Sequence, residues 1–149
     1  MQLFSSPHIY LAAPLFSDAE RGYNSRIRDL LTEMGYNIYL PQEQGEDVRQ
    51  RTIMDDRAVF ERHVHALDRV HAVVAICDGP DADSGTAWEA GYAYAKGIPV
   101  IVLRTDHRMI GPGRRVNLML EQSSHIEVTL EDLISHLSTM FLKDQSSEG

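Results

Sequence analysis

Short apolar runs alternate along the chain with longer segments whose apolar residues recur every 3 or 4 positions. The run Ile9 to Ala13 predicts a first buried strand. Ser17 and Glu20 then have the spacing of a capping box, and a helical apolar face follows that ends at Gly35. The pattern therefore predicts a fold built from buried strands, each followed by an amphipathic helix.

The same alternation continues towards the end of the chain. A helix capped by Thr52 has an apolar spacing that places Phe60, Val64 and Leu67 on its inner face. The continuous apolar character of the strand at 70–77 indicates burial on both of its faces. The other predicted strands are 36–40, 98–103 and 125–128, the other predicted helices are 85–96, 116–121 and one capped by Thr129, and the polar stretch 42–51 predicts a loop.

Strands that alternate with helices imply right-handed crossovers and a parallel sheet covered on both faces. We therefore predict one flavodoxin-like or Rossmann-like α/β domain at residues 1–142, with a five-stranded parallel sheet, and a disordered tail at 143–149. Such sheets bind ligands in the crevice at the carboxyl ends of the strands. Functional residues are thus expected in the loops that follow Ala13, Leu40, Cys77 and Leu103.

Composition narrows the class of ligand. Among the 149 residues, 14 Lys and Arg stand against 22 Asp and Glu, which gives a formal net charge of −8. Nucleic-acid binding depends on clustered cations, so this balance argues against a nucleic-acid polymer as partner. The single cysteine, Cys77, together with the lack of a signal segment or a long apolar run, predicts a cytoplasmic protein that does not associate with membranes. The expected ligand is a small, neutral or weakly charged molecule.

The first loop argues against a dinucleotide cofactor. No glycine lies between Ala13 and Gly22, so the loop lacks the backbone cradle that binds a pyrophosphate. No cluster of His, Cys and carboxylate residues has the spacing of a metal site. We therefore expect the protein to need neither a cofactor nor a metal.

The third loop carries two carboxylates. Asp83 lies at the mouth of the predicted helix, and Glu89 lies in its second turn among small residues such as Gly85 and Ala90. Small side chains allow a helix to approach the sheet closely, which would partly desolvate Glu89. Asp83 as a helix cap, with Glu89 as a solvated helical residue, explains the same spacing equally well. Spacing alone leaves both interpretations open.

Four segments resemble the nucleoside 2-deoxyribosyltransferase family. In chain order they are YLAAPLF at 10–16 followed by Glu20 and Arg21, LPQ at 40–42, DSGTAWEAGYA at 83–93, and NLM at 117–119. The third segment is similar to the signature of the family and is the most specific of the four. The resemblance runs in order from about residue 8 to residue 120.

The resemblance implies a two-step transfer of deoxyribose. Glu89 would attack the anomeric carbon of a deoxynucleoside and expel the base, and a second base would then attack the covalent deoxyribosyl-enzyme. Tyr10 would aim Glu89 and favour its anion, although Tyr10 is also acceptable as a core aromatic. Asp83 would hold a sugar hydroxyl, and Asn117 from a neighbouring subunit of a homo-oligomer would complete that grip.

The base side of the site departs from the family pattern. The family often has an acidic residue 26 positions before the nucleophile, where this chain has His63. A histidine there can protonate the leaving base near neutral pH, and a purely structural histidine is an equal alternative.

Gln42 is expected to read the base edge, because an amide both donates and accepts. Phe16 and Met119 are expected to pack on base or sugar, with plain core as the alternative for Phe16, and Trp88 is expected to pack within the protein.

The residue six positions before the nucleophile separates this chain from related enzymes. Deoxynucleotide N-hydrolases of this fold resemble it but carry a serine there and a basic first loop for the 5′-phosphate. Asp83 would repel a phosphate dianion, whereas Arg21 either approaches one or is a solvated helical residue. The leading hypothesis is therefore a transferase acting on unphosphorylated deoxynucleosides. The alternatives are a nucleoside or nucleotide N-hydrolase, with water as the acceptor, and a non-catalytic nucleoside-binding module.

Overall fold

A computed structural model of the chain describes residues 5–44 and 52–146. Within these residues strands and helices alternate as predicted. The elements are β1 (His8–Ala12), α1 (Asp18–Glu33), β2 (Asn37–Tyr39), a 3-10 turn (Pro41–Glu43), α2 (Ile53–Leu67), β3 (Ala72–Ile76), α3 (Ser84–Ala95), β4 (Val100–Leu103), α4 (Leu118–Ser123), β5 (His125–Glu127) and α5 (Leu130–Ser146).

The sheet has five parallel strands in the order β2-β1-β3-β4-β5, which confirms the predicted fold class. Tyr10 on β1 lies opposite Tyr39 on β2 and opposite Val73 on β3. The chain winds from β1 to one edge of the sheet and then, through β3, to the other edge. The topological switch point therefore lies between β1 and β3, and a ligand crevice is expected at their carboxyl ends.

Helices cover both faces of the sheet. One face packs against α1 and α5, and the other packs against α2, α3 and α4. The helix residues in the two buried apolar clusters are Ile27, Leu31, Leu133 and Leu137 on the first face and Leu67, Ala90, Ala93 and Leu120 on the second. Along β1 the side chains alternate, so that Leu11 faces the first layer and Tyr10 the second. Every residue of β3 is buried, as its continuous apolar run predicts.

The helix-start signals in the sequence are present as capping interactions. Ser17 and Glu20 form a reciprocal capping box at α1, and Thr52 and Asp55 form another at α2. The Thr129 hydroxyl accepts a hydrogen bond of 3.1 Å from a backbone N–H in the first turn of α5. Each such cap stabilises its helix by about 1 kcal/mol, so the loop-to-helix boundaries are determined locally.

Three parts of the structure differ from the sequence-based expectations. Helix α5 continues to Ser146, so that four residues of the predicted tail, 143–146, are helical, and residues 147–149 lie outside the described part. Of the loop predicted at 42–51, the first residues belong to the 3-10 turn and residues 45–51 are also outside it. Phe60 was predicted to face the core, but 46% of it is exposed, because this end of α2 borders a cleft.

Among residues 5–44 and 52–146, no helix combines the length and the apolar character that crossing a bilayer requires.

Candidate active site

A cleft of about 530 Å³ opens between α2 and α3. Leu15 and Pro41 contribute to it from the segments that follow β1 and β2, so it lies at the predicted edge of the sheet. Its other lining residues are Phe60, His63, Val64, Leu67, Ser84, Gly85, Trp88 and Glu89. The cleft thus combines a carboxylate, an imidazole and two large aromatic rings, as small-molecule sites commonly do.

Helix α3 brings both predicted carboxylates to this region. Asp83 caps the helix, with its Oδ2 accepting hydrogen bonds from the Thr86 backbone N–H at 2.9 Å and from the Thr86 hydroxyl at 3.2 Å. Thr86, Ala90 and Ala93 are buried against the sheet, so the helix approaches it closely, as its small residues predict. The capping interpretation of Asp83 is therefore correct, whereas Glu89 lines a cleft rather than standing in open solvent.

The Glu89 carboxyl has an unusual pKa. Its pKa is raised to about 7, mainly by burial; the Tyr10 hydroxyl opposes this by lowering the pKa, and the Asp83 charge adds a smaller increase. The carboxylate is thus held near the midpoint of its titration at neutral pH. A perturbed carboxyl in a cleft is a recognised mark of a functional site.

Tyr10 supplies the buried hydroxyl next to this carboxyl. Its side chain is fully buried on β1, and among residues 5–44 and 52–146 its Oη has no hydrogen-bond partner of ordinary geometry. Its pKa lies far above the usual range, mainly through burial and then through the charge of Glu89. The two side chains therefore interact electrostatically even though no hydrogen bond of ordinary geometry joins them in this structure. A buried hydroxyl in this state is able to donate to an oxygen of Glu89 when the carboxyl ionises.

An aromatic series connects Tyr10 to His63. The ring of Tyr10 stacks on Tyr39 with centroids 5.0 Å apart, and the Tyr39 hydroxyl lies 2.8 Å from Nδ1 of His63. This contact fixes the orientation of an imidazole that lines the cleft. The structure therefore brings His63 to the same cavity as Glu89, as the family resemblance implies.

Two aromatic residues that sequence reasoning did not place in the site line the same cleft. Trp88 was expected to pack inside the protein and Phe60 in the core, yet both border the cavity and are about half exposed. Their rings meet edge to face, with centroids 5.5 Å apart and planes at 66°. Phe60 lies one helical turn before His63, and Trp88 directly precedes Glu89. These positions are a signal that both rings are near the site, but the sequence gives no distance between α2 and α3.

The amide of Gln42 has several partners from α1. Its Nε2 donates to the carbonyl of Arg21 at 2.9 Å and to the Ser25 hydroxyl at 3.1 Å, and its Oε1 accepts from Asn24 at 2.9 Å. These contacts tie the turn after β2 to α1 and position Pro41 at the cleft. Phe16, in contrast, is 69% exposed in the loop after β1. Neither Gln42 nor Phe16 is among the residues that line the cleft.

Asn117 and Met119 lie away from this cleft, at the start of α4. The Asn117 side chain caps the helix by accepting a hydrogen bond of 2.9 Å from the Met119 backbone N–H. The Met119 side chain is 75% exposed. Within a single chain neither residue lines the cleft with Glu89 and His63.

A buried arginine at the end of β4 is a further feature that the sequence did not indicate. Nη1 of Arg104 donates to the carbonyls of Cys77 at 2.5 Å and Gly79 at 2.6 Å, and the side chain is 1% exposed. Asp78 accepts from the backbone and hydroxyl of Thr105 at 2.6 Å each. These bonds hold the loop that leads to α3 against the loop that follows β4. Cys77 is fully buried, as expected, and burial raises the pKa of its thiol to about 12.

Comparison with known proteins shows the family of this chain. The family model of nucleoside 2-deoxyribosyltransferases matches residues 9–133. A protein from Thermofilum pendens, named for 2′-deoxynucleoside 5′-phosphate N-hydrolase activity, is 29% identical over 137 residues, which cover 87% of this chain and 94% of that protein.

Solved structures share the fold over most of their length. A 2-deoxyribosyltransferase from Bacillus psychrosaccharolyticus is 26% identical, with a TM-score of 0.73 over 85% of this chain and 89% of that one. A conserved protein from Enterococcus faecalis is 28% identical, with a TM-score of 0.78 over 91% and 99% of the two chains. The chain therefore belongs to the nucleoside 2-deoxyribosyltransferase family and is an enzyme that acts on N-glycosidic bonds of nucleosides.

Proposed function

We propose that this enzyme moves 2-deoxyribose from a deoxynucleoside to an acceptor base through a covalent bond to Glu89. The observation that carries the proposal is a cleft-lining carboxyl whose pKa of about 7 is set by burial and by the Tyr10 hydroxyl. In the first step a Glu89 oxygen bonds to the anomeric carbon while the carbon–nitrogen bond breaks and its electron pair leaves with the base. In the second step a ring nitrogen of the acceptor base bonds to that carbon, the base passes its ring proton to His63, which gave one up in the first step, and Glu89 is released as carboxylate. Two displacements at one carbon retain its configuration.

The neighbours of Glu89 have distinct tasks in this scheme. Tyr10 donates to the ionised carboxylate and orients the oxygen that attacks. Asp83 uses Oδ2 for the helix cap, so Oδ1 remains to accept a hydrogen bond from a sugar hydroxyl. The same negative charge disfavours a 5′-phosphate near the sugar, which supports unphosphorylated deoxynucleosides as substrates.

His63 supplies the proton that the departing base requires. Its ring lines the cleft and its Nδ1 lies against the Tyr39 hydroxyl. Proton transfer to a leaving group by a well-placed side chain contributes about 10²–10⁴-fold to the rate. Gln42 acts by positioning the turn at Pro41, and Phe16 covers the base or sugar from the loop after β1. The scheme uses proton transfer and nucleophilic attack alone, so it needs no cofactor or metal.

We also propose that the functional enzyme is a homo-oligomer with shared sites. Asn117 and Met119 are exposed on α4 and lie outside the cleft of their own chain. Placed against a second copy, they would reach the sugar held by Asp83 there. Covering the exposed Met119 side chain with a second subunit would also stabilise the assembly, because apolar surface is removed from water.

A second candidate function keeps the chemistry and makes water the acceptor. Its support is the relative from Thermofilum pendens, whose name refers to hydrolysis of deoxynucleoside 5′-phosphates. Arg21 lies near the first loop, where its Nη1 contacts the carbonyl of Leu15 at 3.4 Å. Arg21 is the cation through which such a phosphate would be bound.

One experiment separates these functions. The purified enzyme is incubated with a deoxynucleoside and a different free base, and products are followed by chromatography. The transferase predicts the exchanged nucleoside, whereas accumulation of free deoxyribose with no exchanged product supports the hydrolase. Repeating the assay with the 5′-monophosphate tests the role of Asp83, since preference for the phosphate contradicts it. Glu89→Ala abolishes both activities if Glu89 is the nucleophile.

A further inference from the structure

Two large aromatic side chains of the cleft are about half exposed. Phe60 is 46% exposed and Trp88 is 48% exposed, and both line the cavity that contains Glu89. Large apolar surface that is left open in a concave site commonly marks a ligand-binding surface. Their position beside the nucleophile indicates a role in substrate binding.

Trp88 is held in place by a chain of contacts outside the cleft. Its ring stacks on Tyr92, with centroids 5.4 Å apart and planes at 13°. The Tyr92 hydroxyl donates to Asp68 at 2.7 Å, and Lys96 lies 3.4 Å from the same carboxylate and 5.4 Å from the centre of the Tyr92 ring. A ring supported in this way loses little conformational freedom when a ligand stacks against it.

The position of the sugar determines which part of the substrate meets these rings. Asp83 and Glu89 both engage the deoxyribose in the proposed function, on which this inference rests. The base is attached to the same anomeric carbon, so it extends into the rest of the cleft. The lining there is provided by Phe60, His63 and Trp88.

We propose that Phe60 and Trp88, with Tyr92 supporting Trp88, form the wall that binds the nucleobase and selects bicyclic purines over single-ring pyrimidines. The two rings stand edge to face at 66°, so a base in the corner between them contacts the face of one ring and the edge of the other. The hydrophobic and dispersion contributions to the binding free energy increase with the apolar area that the ligand covers. A purine, with its second ring, covers more of the corner than a pyrimidine does.

The protein carries its own probe for this interaction, because Trp88 is the only tryptophan among the 149 residues. Titration of the wild-type enzyme with adenine is expected to quench tryptophan fluorescence, with tighter binding than cytosine shows. Trp88→Ala and Phe60→Ala are expected to weaken adenine binding in calorimetry by about 5- to 100-fold, the range for loss of one base–aromatic stack. Their KM for an acceptor purine rises more than their kcat falls.

Matched variants control for folding and for surface changes. Trp88→Phe retains a ring and is expected to recover most of the adenine affinity. Tyr94→Ala alters another aromatic residue of α3, 61% exposed and outside the cleft lining, and is expected to bind adenine like the wild type. Circular dichroism of each variant identifies any that does not fold. If an alanine variant does not fold, the test is made with Trp88→Phe and with the fluorescence titration of the wild type.

The outcomes are distinguishable from failure of the proposed function. Equal affinity for adenine and cytosine, no quenching by adenine, or unchanged adenine binding in folded Trp88→Ala and Phe60→Ala overturns the aromatic wall, even where base exchange proceeds through Glu89. Quenching and purine selectivity with no base exchange, or with full turnover by Glu89→Gln, supports the wall and contradicts the proposed transfer.

Discussion

Tyr10 and Glu89 lie on different elements, β1 and α3, and each shifts the pKa of the other. The hydroxyl of Tyr10 lowers the pKa of Glu89 against the larger effect of burial, and the charge of Glu89 adds to the effect of burial in raising the pKa of Tyr10. This relationship keeps the phenol protonated and makes the carboxylate accessible near neutral pH. It also makes the pair open to a direct test.

Tyr10→Phe removes the hydroxyl and leaves the ring that stacks on Tyr39. The pKa of Glu89 is then expected to rise above about 7, because the one contribution that lowers it is lost. The acid limb of a plot of kcat/KM against pH for deoxynucleoside turnover should therefore move to higher pH. An unmoved limb would show that the hydroxyl does not act on the ionising carboxyl.

Glu89→Gln tests the same burial through stability. The folded-state pKa of Glu89 is raised from 4.5 to about 7, so its contribution to stability is fully present below pH 4.5 and is lost as pH rises through 7. The loss is on the order of a few kcal/mol. Urea unfolding between pH 4 and 8 should show this decline in the wild type and a smaller decline in the variant. Glu33→Gln, which changes an exposed carboxylate on α1, should follow the wild type.

Asp83→Asn separates the capping role of Asp83 from its charge. Asparagine caps helices about as well as aspartate, so thermal stability should change little. The pKa of Glu89 should fall, since the Asp83 charge contributes to raising it. Turnover of deoxynucleosides should drop by about 10- to 100-fold through loss of a charge-assisted hydrogen bond, and the relative activity on 5′-monophosphates should rise. Asp81→Asn, which makes the same charge change in the preceding loop, should preserve the substrate ratio.

Asn117→Ser tests whether sites are shared between subunits. Serine retains the ability to cap α4, so a loss of activity would reflect the missing amide. Mixing this variant with Glu89→Gln should restore activity, to about a quarter of wild type for a dimer with random exchange, since one site in each mixed dimer is intact. If Asn117 acts within its own chain or has no role, mixing restores nothing.

His63→Gln tests protonation of the leaving base. The variant should lose about 10²–10⁴-fold in kcat with ordinary purine deoxynucleosides. It should lose little with a 7-methylated purine deoxynucleoside, whose base departs as a neutral molecule without receiving a proton. An equal loss with both substrates would assign His63 to packing alone.

The sequence was sufficient for the fold because its signals are local. Apolar runs, capping boxes such as Ser17 with Glu20, and glycine stops do not depend on distant contacts, and ordinary crossover rules turn the alternation of strands and helices into a parallel sheet. The carboxyl ends of parallel strands predicted the edge of the sheet where Glu89 lies, whereas the resemblance to the family was needed to place His63 near it.

The parts that could not be predicted depend on tertiary contacts between separate elements. The spacing of Phe60 identifies one face of a helix, but it cannot tell whether that face meets core or an open cleft. The partners of Gln42 come from α1, 17 to 21 positions away. Arg104 is held by carbonyls of a loop 25 to 27 positions away, and backbone acceptors carry no sequence signature.

The placement of the two sides of the cleft on different helices has an evolutionary consequence. In the proposed function the sugar is held by Glu89 on α3 and by Asp83, which caps that helix, and the loop leading to α3 is anchored by Arg104 and Asp78. In the proposed base wall, Trp88 lies beside Glu89 on α3, whereas Phe60 lines the cleft from α2. Substitution of Phe60 can therefore change base preference while both carboxylates and the loop anchor are inherited intact.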